Sequence, residues 1–158
     1  MGEAGRFQRP GIRAKENEEV IVLDTNIISA IMPEPPDSSV IRFLDGLILD
    51  SIWTTAITIF EVRFGIERLP AGRRRRRLEE AFPRAVERTF QGRILPFDEA
   101  AAISAAILNA RREQRGISMD VRDTMIAGIV MSRRAEFATR NVRHFADLDL
   151  AVIDPWNI

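Results

Sequence analysis

The chain has 158 residues, 46% apolar and 29% charged, with 23 Lys plus Arg balancing 23 Asp plus Glu and no cysteine. That length suits one domain that buries roughly 70% of its unfolded surface. A formal charge of zero excludes wholesale attraction to polyanions, and the missing cysteine excludes disulfides, thiol nucleophiles and cysteine-ligated zinc.

Residues 1–19, "MGEAGRFQRPGIRAKENEE", are polar and lack the apolar centre of a signal peptide. They read as a flexible tail before a domain spanning 20–158, and with no apolar run near the ~18 residues of a membrane span the expected location is the cytoplasm. "VIVL" (20–23) is an apolar strand that runs into Asp24. Burying that carboxylate costs several kcal/mol unless something compensates it. "MPEPPDSS" (32–39) is a proline-rich loop with a cap at Asp37 or Ser38. Within 40–49, Val40, Ile41, Phe43, Leu44, Leu47 and Ile48 predict one apolar helix face, and "SIWTT" (51–55) a second strand.

A helix follows in "TTAITIFEVRFG", with Glu61 near its start and Thr58 and Glu61 in capping-box spacing. "AGRRRRRLEEAF" reads as a solvated helix face on which Arg75 and Arg76 pair with Glu79 and Glu80, phosphate binding being the minority reading. "RILPF" (93–97) is a third strand and Asp98 an N-cap for a helix over 98–114, whose apolar face is Ile103, Ala106, Ile107 and Ala110. A helix over 121–134 buries Met125, Ile126, Ile129 and Val130, with Asp120 and Asp123 as an acidic capping pair. "EFATR" (136–140) and "LAVID" (150–154) complete five strands, and His144, the lone histidine, decorates a surface turn.

Strands that are apolar throughout and alternate with helices imply a parallel sheet covered on both faces, an α/β architecture whose ligands sit beyond the carboxyl ends of the strands. Asp24 ends the first strand, while Glu61 and Asp123 lie on helices that begin at that same edge; Thr139 and Asn141 end the fourth strand. Three carboxylates, a hydroxyl and an amide therefore converge on one edge, and like charges at close range call for a cation.

In order along the chain, "VIVLDTNIISAIM", "TTAITIFEVRFGIERLPAGRRRRRLEEAF", "GRILPFDEAAA", "RDTMIAGIV", "ATRNVRHF" and "VIDPWNI" together resemble a PIN-domain ribonuclease. The pattern is similar to the VapC toxin family of type II toxin–antitoxin systems, in its FitB-like branch. The resemblance runs from Val20 to the end of the chain. It implies a PIN-like three-layer fold with a parallel sheet of about five strands, often paired into a homodimer. It also implies an acidic site that binds Mg²⁺ or Mn²⁺ and cuts RNA, and a DNA-binding antitoxin partner of the VapB or FitA kind. Carried over by motif, Asp24, Glu61 and Asp123 are the catalytic and metal-binding acids. The family's fourth acid belongs to a Thr-x-Asp motif that reads "TRN" here, leaving Asn141 as a candidate fourth ligand. Thr139 and Asn26 would orient the ligands, and Arg140 and Arg143 would grip the RNA backbone.

Two rival readings stand beside this one. An aspartyl-phosphate phosphatase needs a second Asp two residues after the first, where this chain has Asn26. A catalytically degenerate PIN-like module that only binds is the stronger alternative, because Asn141 replaces an acid.

Overall fold

The computed structural model describes residues 19–158, so the expected tail lies, except for its last residue, outside the described residues. Five parallel strands form one sheet: β1 (Ile21–Leu23), β2 (Ile52–Thr55), β3 (Ile94–Leu95), β4 (Glu136–Ala138) and β5 (Val152–Ile153), in the order β3-β2-β1-β4-β5. All five lie within the apolar runs that predict them. The chain fills one half of the sheet from β1 outward and then crosses to the other side of β1. The order therefore reverses between β1 and β4, and their carboxyl ends frame the crevice where such sheets bind ligands.

Side-chain alternation along β1 supplies both cores. Ile21 and Leu23 point into a cluster with Ile27, Ile28, Val40, Val62, Ile66, Phe82 and Phe90, under α1 (Thr25–Ile31), α2 (Ser38–Asp45), α3 (Ala56–Glu67) and α4 (Arg73–Phe90). Val22 points the other way, into Leu108, Ile126, Ile129, Val130, Phe137 and Phe145, under α5 (Glu99–Gln114) and α6 (Val121–Ser132).

Local chemistry starts the helices. Asp37 caps α2 by accepting from the backbone N–H groups of Ser39 and Val40, and Asp98 and Asp120 cap α5 and α6 as their spacing predicts. Three expectations need correction. The cap of α3 is Thr55, which accepts from the Thr58 N–H. Glu61 therefore sits in the second turn of α3, and Thr58–Glu61 is not a capping box. The helix expected over 40–49 ends at Asp45, because the chain leaves helical pairing at Gly46; Leu47 and Ile48 lie beyond it.

The third correction concerns α5, whose buried face is Ala101, Ala105, Leu108 and Arg112, whereas Ile103 and Ile107 are 55% and 49% exposed. Small residues face inward because α6 comes very close. A Cβ built on Gly128 would lie 2.5 Å from the Ala101 carbonyl oxygen and 2.7 Å from the Ala105 Cβ. Gly128→Ala is expected to destabilise the fold by about 1–3 kcal/mol through this overlap, against a helix-propensity gain of about 1 kcal/mol. Urea unfolding measures the difference, and an unchanged midpoint would refute the close packing of α5 on α6.

Candidate active site

Asp24 emerges from the carboxyl end of β1 only 4% exposed, and its position is held by the β4 side of the sheet and by its own helix. Its backbone N–H donates to the Ala138 carbonyl of β4 (3.0 Å), continuing the β1–β4 ladder. Its Oδ1 accepts from the Thr25 N–H at the start of α1 (2.7 Å) and its Oδ2 accepts from the Thr139 hydroxyl (2.6 Å). The direction of that last bond follows from counting protons. Thr139 Oγ1 already accepts from the Asn141 N–H (3.0 Å) and the Asn26 amide (3.3 Å), so its single proton goes to Asp24. The Asn26 amide is oriented in turn by the Arg140 N–H, which can only donate and finds Asn26 Oδ1 at 3.2 Å. Thr139 and Asn26 thus bond Asp24 directly and through each other.

The other two acids come from helices on opposite faces of the sheet. Glu61 of α3 accepts from the Thr25 hydroxyl (3.0 Å) and has the Arg122 guanidinium 3.9 Å from its other oxygen. Asp123, in the first turn of α6, faces the ring Nδ1 of His144 at 3.3 Å. Burial pushes the Asp24 carboxyl above its ordinary value of 3.8, Asp123's charge adding to the rise against the hydrogen bonds from Thr139 and Thr25. Glu61 is likewise raised above 4.5, first by burial, then by the charges of Asp24 and Asp123, with the Thr25 bond and Arg122 opposing.

Among the described residues no three His, Asp or Glu side chains are already gathered around one point, as a closed protein cage for a metal would require. The donor set nevertheless fits a hard dication. Mg²⁺ keeps several waters and is usually held by one or two carboxylates together with substrate phosphates. Two carboxylates raised first by burial and then by nearby like charge would gain from a cation that offsets that charge.

The remaining sequence candidates separate. Asn141 lies just past β4, exposed, with no side-chain capping bond. Arg140 packs its guanidinium over the Trp156 ring, 4.9 Å from the centroid, and Arg143 is exposed. Of the arginine run, Arg75 pairs with Glu79 (2.8 Å) and Glu67 (2.6 Å), while the expected Arg76–Glu80 pair does not form among the described residues. Arg74 and Arg77, with Arg84 of the same helix, line a groove of about 760 Å³ that also touches Thr25 and Glu61.

Residue-by-residue reading missed four groups. His144 adjoins Asp123 instead of merely decorating a turn. Thr25 and Arg122 both reach Glu61. Arg112 of α5, 1% exposed, donates to Asp147 twice (2.9 Å each), to the Thr124 hydroxyl (3.1 Å) and to the His144 carbonyl (3.0 Å). It ties the start of α6 to the turn after β4, on either side of Asp123. The i, i+4, i+7, i+11 spacing of Ala101, Ala105, Leu108 and Arg112 was the available signal, since it puts an arginine on a buried stripe. Asp147 pairs with Arg112, while Asp120 caps α6 and pairs with Arg122.

A family model described as the PIN domain matches residues 21–150. Toxin FitB of Neisseria gonorrhoeae is 35% identical over 138 residues, covering 87% of this chain and 99% of that protein. VapC ribonuclease Y4jK of Sinorhizobium fredii is 35% identical over 137 residues, covering 87% and 98%. The solved structure of FitAB bound to an IR36 DNA fragment superposes with a TM-score of 0.77 at 34% identity, covering 88% of this chain and 97% of that one. With its five-stranded parallel sheet, the chain belongs to the PIN-domain family, within its VapC and FitB group of toxin ribonucleases.

Proposed function

We propose that this chain is a metal-dependent endoribonuclease in which Asp24, Glu61 and Asp123 hold Mg²⁺ or Mn²⁺ and hydrolyse RNA phosphodiester bonds. The observation that carries the reading is a buried carboxylate at the carboxyl end of β1, Asp24, held by Thr25 and Thr139, with Thr25 also bonded to Glu61. A bound dication lowers the pKa of a coordinated water and offsets charge on the phosphate oxygens. The protein's part is positioning. Asp24 is held at both oxygens, Thr25 fixes the Glu61 carboxylate, and Arg122 beside Glu61 offers a cation to the scissile phosphate. Arg74, Arg77 and Arg84 offer the RNA backbone cations along a groove that reaches Glu61 and also carries Glu34 and Glu80, whereas Arg140 packs on Trp156.

The cellular setting follows from the family. FitB is named a toxin, and its partner-bearing assembly FitAB is solved on DNA. We read this chain as a cytoplasmic toxin that forms homodimers and is silenced by a small DNA-binding antitoxin. Among the described residues no helix is long and apolar enough to cross a membrane. The direct test is the purified protein on defined structured RNAs with Mg²⁺ or Mn²⁺, beside a chelator control. Cleavage that the chelator stops supports the reading; binding without cleavage at any divalent concentration supports the rival, a PIN-like module that only binds.

Asn141 is the observation that favours this rival, and it has its own test. An Asp there adds a charge two residues from Thr139, which bonds Asp24, and with a dication present attraction outweighs the added repulsion. Asn141→Asp is expected to keep activity and lower the Mg²⁺ concentration for half-maximal rate, while Asn141→Ala weakens activity less than Asp24→Asn does. An unchanged Mg²⁺ midpoint in both variants would put Asn141 outside the site.

A further inference from the structure

The chain has one histidine, and the fold sets it against an acid of the proposed metal site. The separation of 3.3 Å between His144 Nδ1 and Asp123 Oδ2 is long for a charge-assisted hydrogen bond, for which about 2.7–2.9 Å is usual. It is close to the ~3 Å between adjacent donors of an octahedral shell with bonds near 2.1 Å.

The surroundings hold the backbone of His144 and leave its ring free. Its carbonyl accepts from the buried Arg112 guanidinium (3.0 Å) and its N–H donates to the Asn141 carbonyl (3.0 Å). The next residue, Phe145, is buried edge-on against Phe137, ring centres 4.8 Å apart. The imidazole itself is 52% exposed, and among the described residues Asp123 is its only hydrogen-bond partner. Three residues earlier, Asn141 leaves this edge without the fourth carboxylate that the family pattern expects.

We propose that the His144 imidazole joins Asp123 in the metal's ligand shell, supplying a nitrogen donor at an edge that lacks a fourth carboxylate and turning the site from Mg²⁺ toward transition-metal dications. Magnesium takes oxygen donors almost exclusively, whereas imidazole suits the first-row transition metals. The inference rests on the acidic-site reading above and goes beyond it by assigning a ligand and a metal preference.

Pulsed electron paramagnetic resonance of the untagged full chain loaded with Mn²⁺ tests it directly. Because the chain holds one histidine, any imidazole ¹⁴N modulation of a directly bound nitrogen belongs to His144. The expected result is that modulation in the parent and its loss in His144→Ala, together with a roughly tenfold weaker Mn²⁺ affinity by calorimetry and a Mg²⁺ affinity changed by less than about twofold. His144→Ala removes a half-exposed ring and leaves the backbone clamp intact, so folding is retained. Saturable Mn²⁺ binding that needs Asp24 but shows no directly bound nitrogen overturns the His144 assignment alone. Mn²⁺ binding indifferent to Asp24→Asn overturns the acidic-site reading and this inference with it.

Discussion

Asp24→Asn is expected to lower RNA cleavage about 10²–10³-fold while the protein stays folded at neutral pH. The loss follows because the amide removes the charge at the best-held position of the edge, where Thr25 and Thr139 fix both oxygens. The retained stability follows from the raised pKa. A carboxylate that folding pushes above 3.8 is ionised at a cost, which is fully present above the folded value and vanishes as pH falls toward 3.8. Any melting advantage of the Asp24→Asn variant is therefore largest at neutral pH and shrinks on acidification. Glu61→Gln and Asp123→Asn are expected to lose cleavage by similar factors. Steady-state rates with circular dichroism melts from pH 7 to pH 4 make the comparison. If two of the three variants cleave within threefold of the parent, the three acids are not the site.

The second large effect lies outside the acids. Arg112→Met is expected to cost roughly 3 kcal/mol and lower the melting midpoint by about 6–12 °C, because it leaves the Thr124 hydroxyl, the His144 carbonyl and Asp147 without their shared donor. Its hydrogen bonds hold the Asp147 carboxyl below 3.8, so the stability this pair supplies is present above pH 3.8 and is lost as pH falls through the depressed value. Parent and variant stabilities therefore draw together in acid. Because Arg112 joins the start of α6 to the turn carrying His144, the folded variant at low temperature should also need more divalent metal for half-maximal rate. A variant as stable as the parent, with an unaltered metal requirement, would show that the clamp neither supports nor positions anything.

How far the sequence reaches can be judged element by element. Five largely apolar runs mark five strands, because a strand covered on both faces favours apolar residues at successive positions, with buried threonines such as Thr54 tolerated where their hydroxyls are bonded. Asp24 stands out for the same reason: a carboxylate directly after such a run has to be compensated. The placement of Glu61 and Asp123 at the same edge also follows, since helices after parallel strands begin where the strands end. These features depend on neighbours in sequence, and composition with periodicity determines them.

What only tertiary structure decides are the pairings between distant segments. The inner face of α5 is alanine because Gly128 of α6 leaves no room for isoleucine, a constraint absent from α5's own sequence, where the larger residues carry the stronger apolar signal. Arg112 is buried because Thr124, Asp147 and the His144 carbonyl meet it from two other segments. His144 reaches Asp123 across 21 positions, and Thr139 reaches Asp24 across 115. Local sequence sets where the strands lie and most helix starts, and it nominates the acids; strand order is tertiary. The geometry that holds those acids comes from hydrogen bonds whose partners become neighbours only when the sheet closes around β1.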